Sequence, residues 1–270
     1  MATDERPDLD RPSPGRVYDF LLGGTNNYAV DREFARAQLE VAPGMRDFAL
    51  ANRAFLGRAV RYAVAAGIRQ FVDLGSGLPT QGNVHEVADE AAPGEARVVY
   101  VDNEPIAHAH ARILLEDTAD PARHRALHGD FFDRDRLWRQ VLDQGVLDPG
   151  APVCLLAVAL LHFMPPEREP EQALAFYRDQ LVPGSLLALS HGSVAEADRQ
   201  RQAEARKLGD NYARQTRNPV HVRNHTEVTA LFGDFELVEP GVVWLSEWRP
   251  EEPDPAPAHS GALAGVARKL

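Results

Sequence analysis

Short apolar runs separated by helical patterns decide the fold class of this chain. The runs at 70–74, 97–101, 125–128, 153–161 and 186–190 carry Val, Leu, Ala and Phe on both parities, most completely at 153–161. A strand apolar on both faces belongs in a sheet that is covered on both sides, and that is the habit of parallel sheets. Between the runs, helical patterns fall at about 83–91, 105–116, 133–144 and 167–182. Strand–helix alternation of this kind predicts an α/β protein built on a mostly parallel sheet.

The flanks read differently. Residues 1–15 mix charges and prolines without periodicity and are expected to be a disordered lead. Helical patterns follow at 16–22, 31–39 and 46–66, the last carrying the stripe Phe48, Phe55, Leu56, Ala59, Val60, Ala63 and closing at Gly67. Residues 1–67 are therefore expected to form the lead and a helical lid, and residues 68–249 the core. A charged helix is expected near 194–209 and another near 225–232. Phe235-Glu236-Leu237-Val238 and Val242-Val243-Trp244-Leu245 flank Glu239-Pro240-Gly241, a hairpin signal that predicts an antiparallel last strand. The Pro-rich, acidic stretch after it, within 250–270, reads as a flexible tail.

Composition narrows the function. The net charge of −11 argues against a general binder of nucleic acid or anionic membrane. No apolar stretch approaches the ~20 residues of a membrane span, and no secretory h-region opens the chain, so a cytoplasmic protein is expected, as a monomer or homodimer. Cys154 is the single cysteine and sits in an apolar run. One thiol supports neither an internal disulfide nor a thiolate cluster. His108 and His110 diverge on a helix, and no group has metal-ligand spacing, so no metal is expected. There is neither a Gly-x-Ser-x-Gly elbow nor a Walker loop.

The chemistry lies at the ends of the runs. Asp73-Leu74-Gly75-Ser76-Gly77 ends the first strand in a tight turn. Glycine lets such a turn approach a ligand closely. The third glycine of the dinucleotide fingerprint is missing, since Thr80 stands there. Asp102 ends the second strand with Asn103 beside it, at the point where an acid accepts from both ribose hydroxyls. Both observations suit a nicotinamide cofactor or a sulfonium nucleoside. Gly129-Asp130-Phe131, after the third strand, adds an acceptor for an adenine amino group and a flanking ring. Three acids at successive strand ends, with a reversed last strand, favour the sulfonium nucleoside.

Upstream, Arg16, Tyr18, Asp19, Asn26 and Asn27 crowd a short stretch with Gly23 and Gly24. This stretch either folds over a cofactor or packs as a turn on the core, and Arg16 is the candidate cation for a ligand carboxylate. Asn52 lies on the buried face of its helix and either caps backbone or faces the cleft, and Arg53, one residue on, is expected to reach the cleft rim. His162, past the fourth strand with Ala159, and His191, past the fifth, sit where ligands of open α/β sheets bind. Each is a candidate base or cleft-lining residue.

Phe71-Val72-Asp73-Leu74-Gly75-Ser76-Gly77, Val101-Asp102 and Gly129-Asp130 resemble the three motifs of class I methyltransferases. The run from Arg16 to Tyr28, with Asn52-Arg53-Ala54-Phe55-Leu56 and Pro240-Gly241-Val242-Val243, resembles the bacterial S-adenosyl methyltransferase family common in actinomycetes. The resemblance runs from about Arg16 to Pro250. It implies a Rossmann-like, seven-stranded, mostly parallel sheet in the order 3-2-1-4-5-7-6 with strand 7 antiparallel. It also implies S-adenosylmethionine as cofactor and S-adenosylhomocysteine as product. The expected activity is methyl transfer to a small-molecule acceptor. A cofactor-binding regulator without turnover and a nicotinamide oxidoreductase are the alternatives.

Overall fold

The computed structural model describes residues 9–80, 82–194, 199–216, 218–254, 256 and 260–270. Helices α1 (Pro14–Leu21), α2 (Ala29–Val41) and α3 (Met45–Ala65) precede β1 (Gln70–Leu74). Helices and strands then alternate: α4 (Val84–Ala91), β2 (Arg97–Asp102), α5 (Pro105–Thr118), β3 (His124–His128), α6 (Arg134–Asp143), β4 (Val153–Val158), α7 (Pro170–Gln180) and β5 (Leu186–Gly192). The chain closes with α8 (Arg199–Gln215), α9 (His225–Ala230), β6 (Glu236–Leu237), β7 (Val243–Trp244) and β8 (Ala262–Arg268).

The sheet runs β3-β2-β1-β4-β5-β8-β6, with β7 also pairing β8. The pairs β1–β2, β1–β4, β2–β3 and β4–β5 are parallel, and β8 is antiparallel to β5. This is the class I methyltransferase arrangement, with β8 in the place expected for strand 7. Both faces are dry. Val72, Leu155, Leu187 and Leu189 pack with α6, α7 and α9, whereas Phe71, Cys154, Leu156 and Ala188 pack with α3 and α4. The period of two along each strand makes this partition, and it accounts for strands that are apolar at every position. A third cluster joins Val17, Leu21, Phe34 and Ala49 of α1–α3 to Tyr212 of α8.

Three expectations about the flanks change. The proposed 235–238/242–245 hairpin does not form, because β6 and β7 each pair with β8 instead of with each other. Residues 262–268 are not a flexible tail but a buried strand, held in register from Leu186↔Arg268 to Gly192↔Ala262. Of the expected disordered lead, residues 1–8 lie outside the described residues, whereas residues just before α1 are anchored. The Ser13 N–H donates to Asp31 Oδ1 at 3.0 Å, and the Arg11 carbonyl accepts from Arg16 at 2.6 Å. Four of the expected tail residues, 255 and 257–259, also lie outside the described residues. Among the described residues no helix is long and apolar enough to cross a membrane.

Candidate functional site

The carboxyl ends of β1, β2, β3 and β4 open into one cavity of about 380 Å³, roofed by α1, α3 and the end of α8. That volume is in the range of small-molecule sites. Its floor is the turn after β1. Gly75 has φ of 69° and Gly77 φ of 64°, a region that side chains rarely tolerate. A Cβ at Gly75 would collide with Leu160, at 2.3 Å. A Cβ on Gly77 would meet nothing within 4 Å, because that glycine faces open space. The Asp102 carboxylate ties the turn down, accepting from the Gly77 N–H at 2.7 Å and the Glu104 N–H at 2.8 Å. Burial pushes the Asp102 carboxyl above its ordinary range.

Asp73 also lines the cavity. It is buried and accepts no hydrogen bond from the described residues, and burial pushes its carboxyl up to about 7, against the pull of the nearby Arg53 guanidinium. Arg53 Nε is buried without a hydrogen-bond partner, and the guanidinium lies 5.8 Å from the centre of the Tyr18 ring. The cavity thus contains a cation with a spare N–H and a carboxylate without a donor. Buried groups rarely remain in that state unless something else completes them.

At the other end, Asp130 sits at the rim. Its Oδ1 accepts from the Phe132 N–H at 2.9 Å and its Oδ2 from Arg168 at 3.2 Å, while Arg168 lies 3.7 Å over the Phe132 ring. Phe131 is buried with its carbonyl bound by Tyr177, at 2.7 Å. Ala159 turns the chain out of β4 at φ of 54°, its N–H bound to Ser190 Oγ at 2.9 Å. Ser190 in turn donates to Asn52 Oδ1 at 2.6 Å, and Asn52 Nδ2 donates to the Tyr18 hydroxyl at 3.0 Å. Asn52 therefore joins α1, α3 and β5 through side chains while lining the cavity; it does not cap backbone.

The structure separates the other candidates. Gly23, Gly24 and Asn26 do not line the cavity. Gly24 is where the Asp19 carboxylate packs, and a Cβ there would lie 2.1 Å from its Oδ1. Asn26 reaches the Pro79 carbonyl at 3.3 Å, behind the β1 turn. Arg16 lines the cavity but is engaged by protein carboxylates, Asp31 at 2.9 Å and Glu104 at 3.0 Å, so it is not the spare cation. His191 is not in the cavity. Strand alternation puts Ser190 toward Asn52 and His191 on the opposite face, where it donates to the Gly192 carbonyl at 2.9 Å and accepts from Arg223. His162 does line the cavity, and burial holds its imidazole well below the ordinary range.

The comparisons agree with this geometry. The sequence profile of the S-adenosyl methyltransferase family matches residues 2–270. The chain belongs to that family. A protein of Mycolicibacterium smegmatis, provisionally described as an S-adenosyl-L-methionine-dependent methyltransferase, is 28% identical over 180 residues, 66% of this chain. The chain spans 55% of that relative's length. A crystal structure from Thermobifida fusca, provisionally described as a methyltransferase, superposes at a TM-score of 0.87 with 37% identity over 99% of each chain. A Streptomyces avermitilis protein classed by a domain of unknown function gives 0.89 at 34% identity, over 98% of this chain and all of that one.

As a member of the S-adenosyl methyltransferase family, the chain takes S-adenosylmethionine as cofactor. The cavity fits that molecule by its donor set. The methionine end of that molecule is a zwitterion, and Arg53 and Asp73 are a cation with a spare N–H and an anion without a donor; Gly77 faces open space. Several lining residues were not singled out from the sequence. Tyr212 stands in a charged helix, where its i,i+4 spacing from Leu208 is the one available signal. Phe48 and Phe163 look like ordinary core residues in the sequence. Phe132 and Arg168 meet only through the fold.

Proposed function

We propose that this chain transfers the methyl group of S-adenosylmethionine to a small-molecule acceptor. The observation that carries the reading is a single cavity in which acidic strand ends face aromatic side chains, with helices α1 and α3 closing it from above. Asp102 accepts from the ribose hydroxyls, and Asp130 and Phe131 flank the adenine. The Gly75–Gly77 turn packs against the methionine and ribose, Arg53 holds the methionine carboxylate and Asp73 its ammonium. When bound, the cofactor supplies a methyl group on a sulfonium sulfur. Helices α1–α3 act as the lid that excludes water, and Asn52 fixes that lid to β5.

The transfer is an in-line displacement, so the protein's main contribution is alignment of acceptor and methyl group. His162 is the polar side chain in a position to meet the acceptor, and its depressed pKa keeps it neutral at physiological pH. Calorimetry with S-adenosylhomocysteine tests the reading. Wild type is expected to bind, and Asp102→Ala to bind at least about fivefold more weakly, the equivalent of ~1 kcal/mol. Absence of binding heat at millimolar ligand would overturn the proposal. Turnover of no acceptor despite firm binding would favour a regulator that only binds the cofactor.

A further inference from the structure

We infer that the methyl acceptor is a flat aromatic molecule carrying a weakly acidic hydroxyl, and that His162 holds that hydroxyl's oxygen by donating a hydrogen bond from Nε2. The inference rests on the methyl-transfer reading above and names the acceptor class for the same cavity.

Its first support is a continuous aromatic wall. The Tyr18 and Phe48 rings are 6.5 Å apart, Phe48 and His162 6.3 Å, His162 and Phe163 4.4 Å, and Phe163 and Tyr212 5.9 Å. All five residues line the cavity, as do Met45 and Leu56. They come from α1, α3, the turn after β4 and α8. Aromatic faces and edges reward a second ring at these spacings, whereas a flexible aliphatic chain would find no matching geometry.

Charge supplies the second support. Among the described residues, the charged side chains lining the cavity are those of the glycine-turn side or are already paired: Arg16 with Asp31 and Glu104, and Arg168 with Asp130. The aromatic wall has no carboxylate to welcome an amine, and the one cation beside it, Arg53 at 5.8 Å from the Tyr18 ring, is the group assigned above to the methionine carboxylate. Burial of an unpaired charge there is costly. The acceptor therefore carries neither an ammonium nor a carboxylate.

Hydrogen-bond direction supplies the third. The Gly192 N–H donates to His162 Nδ1 at 3.3 Å, so the neutral ring carries its proton on Nε2. Nε2 has no protein partner among the described residues. Burial disfavours a second proton on the ring, and His191 and Arg223 add to that. In that tautomer His162 is a donor, not a base. The acceptor hydroxyl loses its proton to solvent before the lid closes, and the resulting oxyanion is held by the Nε2–H. An oxygen lone pair forms the new O–C bond while the S–C bond breaks. Its electron pair stays on sulfur, which becomes a neutral thioether, so both charges are consumed together.

The test uses the full chain saturated with S-adenosylhomocysteine, titrated calorimetrically with 2-naphthol, naphthalene, decahydro-2-naphthol and 2-naphthylmethylammonium. The expected order puts 2-naphthol at least tenfold tighter than each of the others. Tighter binding of the saturated alcohol or the ammonium overturns the inference while leaving the cofactor reading intact. Failure of S-adenosylhomocysteine itself to bind overturns that reading, and this inference with it. With S-adenosylmethionine, 2-naphthol is expected to give its methyl ether. His162→Gln retains a donor near Nε2 but cannot serve as a base, and is expected to keep kcat within about fivefold. His162→Phe keeps the ring and loses the donor, and is expected to lower kcat at least fiftyfold. Loss of activity in both variants would make His162 a base, and retention in both would make it packing; either result overturns the assigned role.

Discussion

Asp73 concentrates the conflict between folding and binding in one residue. Burial without a donor raises its carboxyl from 3.8 to about 7. Between those values the folded chain holds a proton that the unfolded chain has shed, so this group's contribution to stability falls as pH rises from about 4 to about 7. Asp73→Asn is therefore expected to be more stable than wild type at pH 8, by on the order of 2 kcal/mol. Each pKa step is worth about 1.4 kcal/mol, and the amide carries its own desolvation cost. The gain should vanish near pH 4, as followed by denaturant unfolding across pH. The same variant should bind S-adenosylhomocysteine at least tenfold more weakly, because the carboxylate that opposes folding is the one assigned to the ammonium. For wild type the affinity should fall as pH drops from 8 to 6, since protonation removes the ionised form that the ammonium selects. A pH-independent affinity would detach Asp73 from the ligand. The acid itself was legible in the sequence, from its place at the end of the first strand. Its partner Arg53 was legible only as a residue of the cleft rim, one position past a buried asparagine; the missing Nε partner exists only in the fold.

At the level of elements, the parallel half of the sheet was legible and the antiparallel edge was not. Strands β1, β2, β4 and β5 announce themselves by β-branched and large apolar residues, and Asp or Gly marks the ends of β1, β2 and β5. β8 is built from Ala262, Leu263, Ala264, Gly265, Val266 and Ala267. Alanine and glycine are depleted in strands, and a Pro-rich, acidic stretch precedes them, so the segment resembles a tail. The property that hides β8 is the one that lets it fit. It is hydrogen-bonded to β5 on one side and to β6 and β7 on the other. A Cβ at Gly265 would already lie 3.1 Å from Phe232 and 3.2 Å from Val242. Gly265→Val is thus expected to destabilise the protein by about 1–3 kcal/mol through overpacking, despite valine's better strand preference. Denaturant unfolding measures it; a stabilised variant would mean that the α9 side of the sheet is loosely packed.

Across the whole molecule, one buried side chain links the N-terminal helices to the cofactor end of the sheet. Arg16 of α1 donates from Nε to Asp31 of α2 and from Nη1 to Glu104. Glu104 caps α5, its Oε2 accepting from the Ala107 N–H at 2.6 Å, and its own N–H donates to Asp102 Oδ1. Asp102 closes the series by holding the Gly77 N–H. A ligand that draws the Asp102 carboxylate toward its ribose therefore acts on a residue two bonds removed from the lid. Arg16→Met keeps the bulk of the stem and removes the cation. Asp31 and Glu104 then lose their shared cation, and Asp31, wholly buried, keeps only the Ser13 and Tyr28 N–H donors; breaking a buried pair this way typically costs about 3–5 kcal/mol. If α1 and α2 were merely packed on the core, the variant would lose stability and nothing more. If they are the lid, binding is affected as well. In wild type, amide exchange across residues 14–41 should slow when S-adenosylhomocysteine binds. In Arg16→Met that protection should disappear, and affinity should fall at least tenfold at a temperature where the variant is still folded. Unchanged affinity with intact ligand-induced protection would assign Arg16 to stability alone and separate the N-terminal helices from cofactor capture.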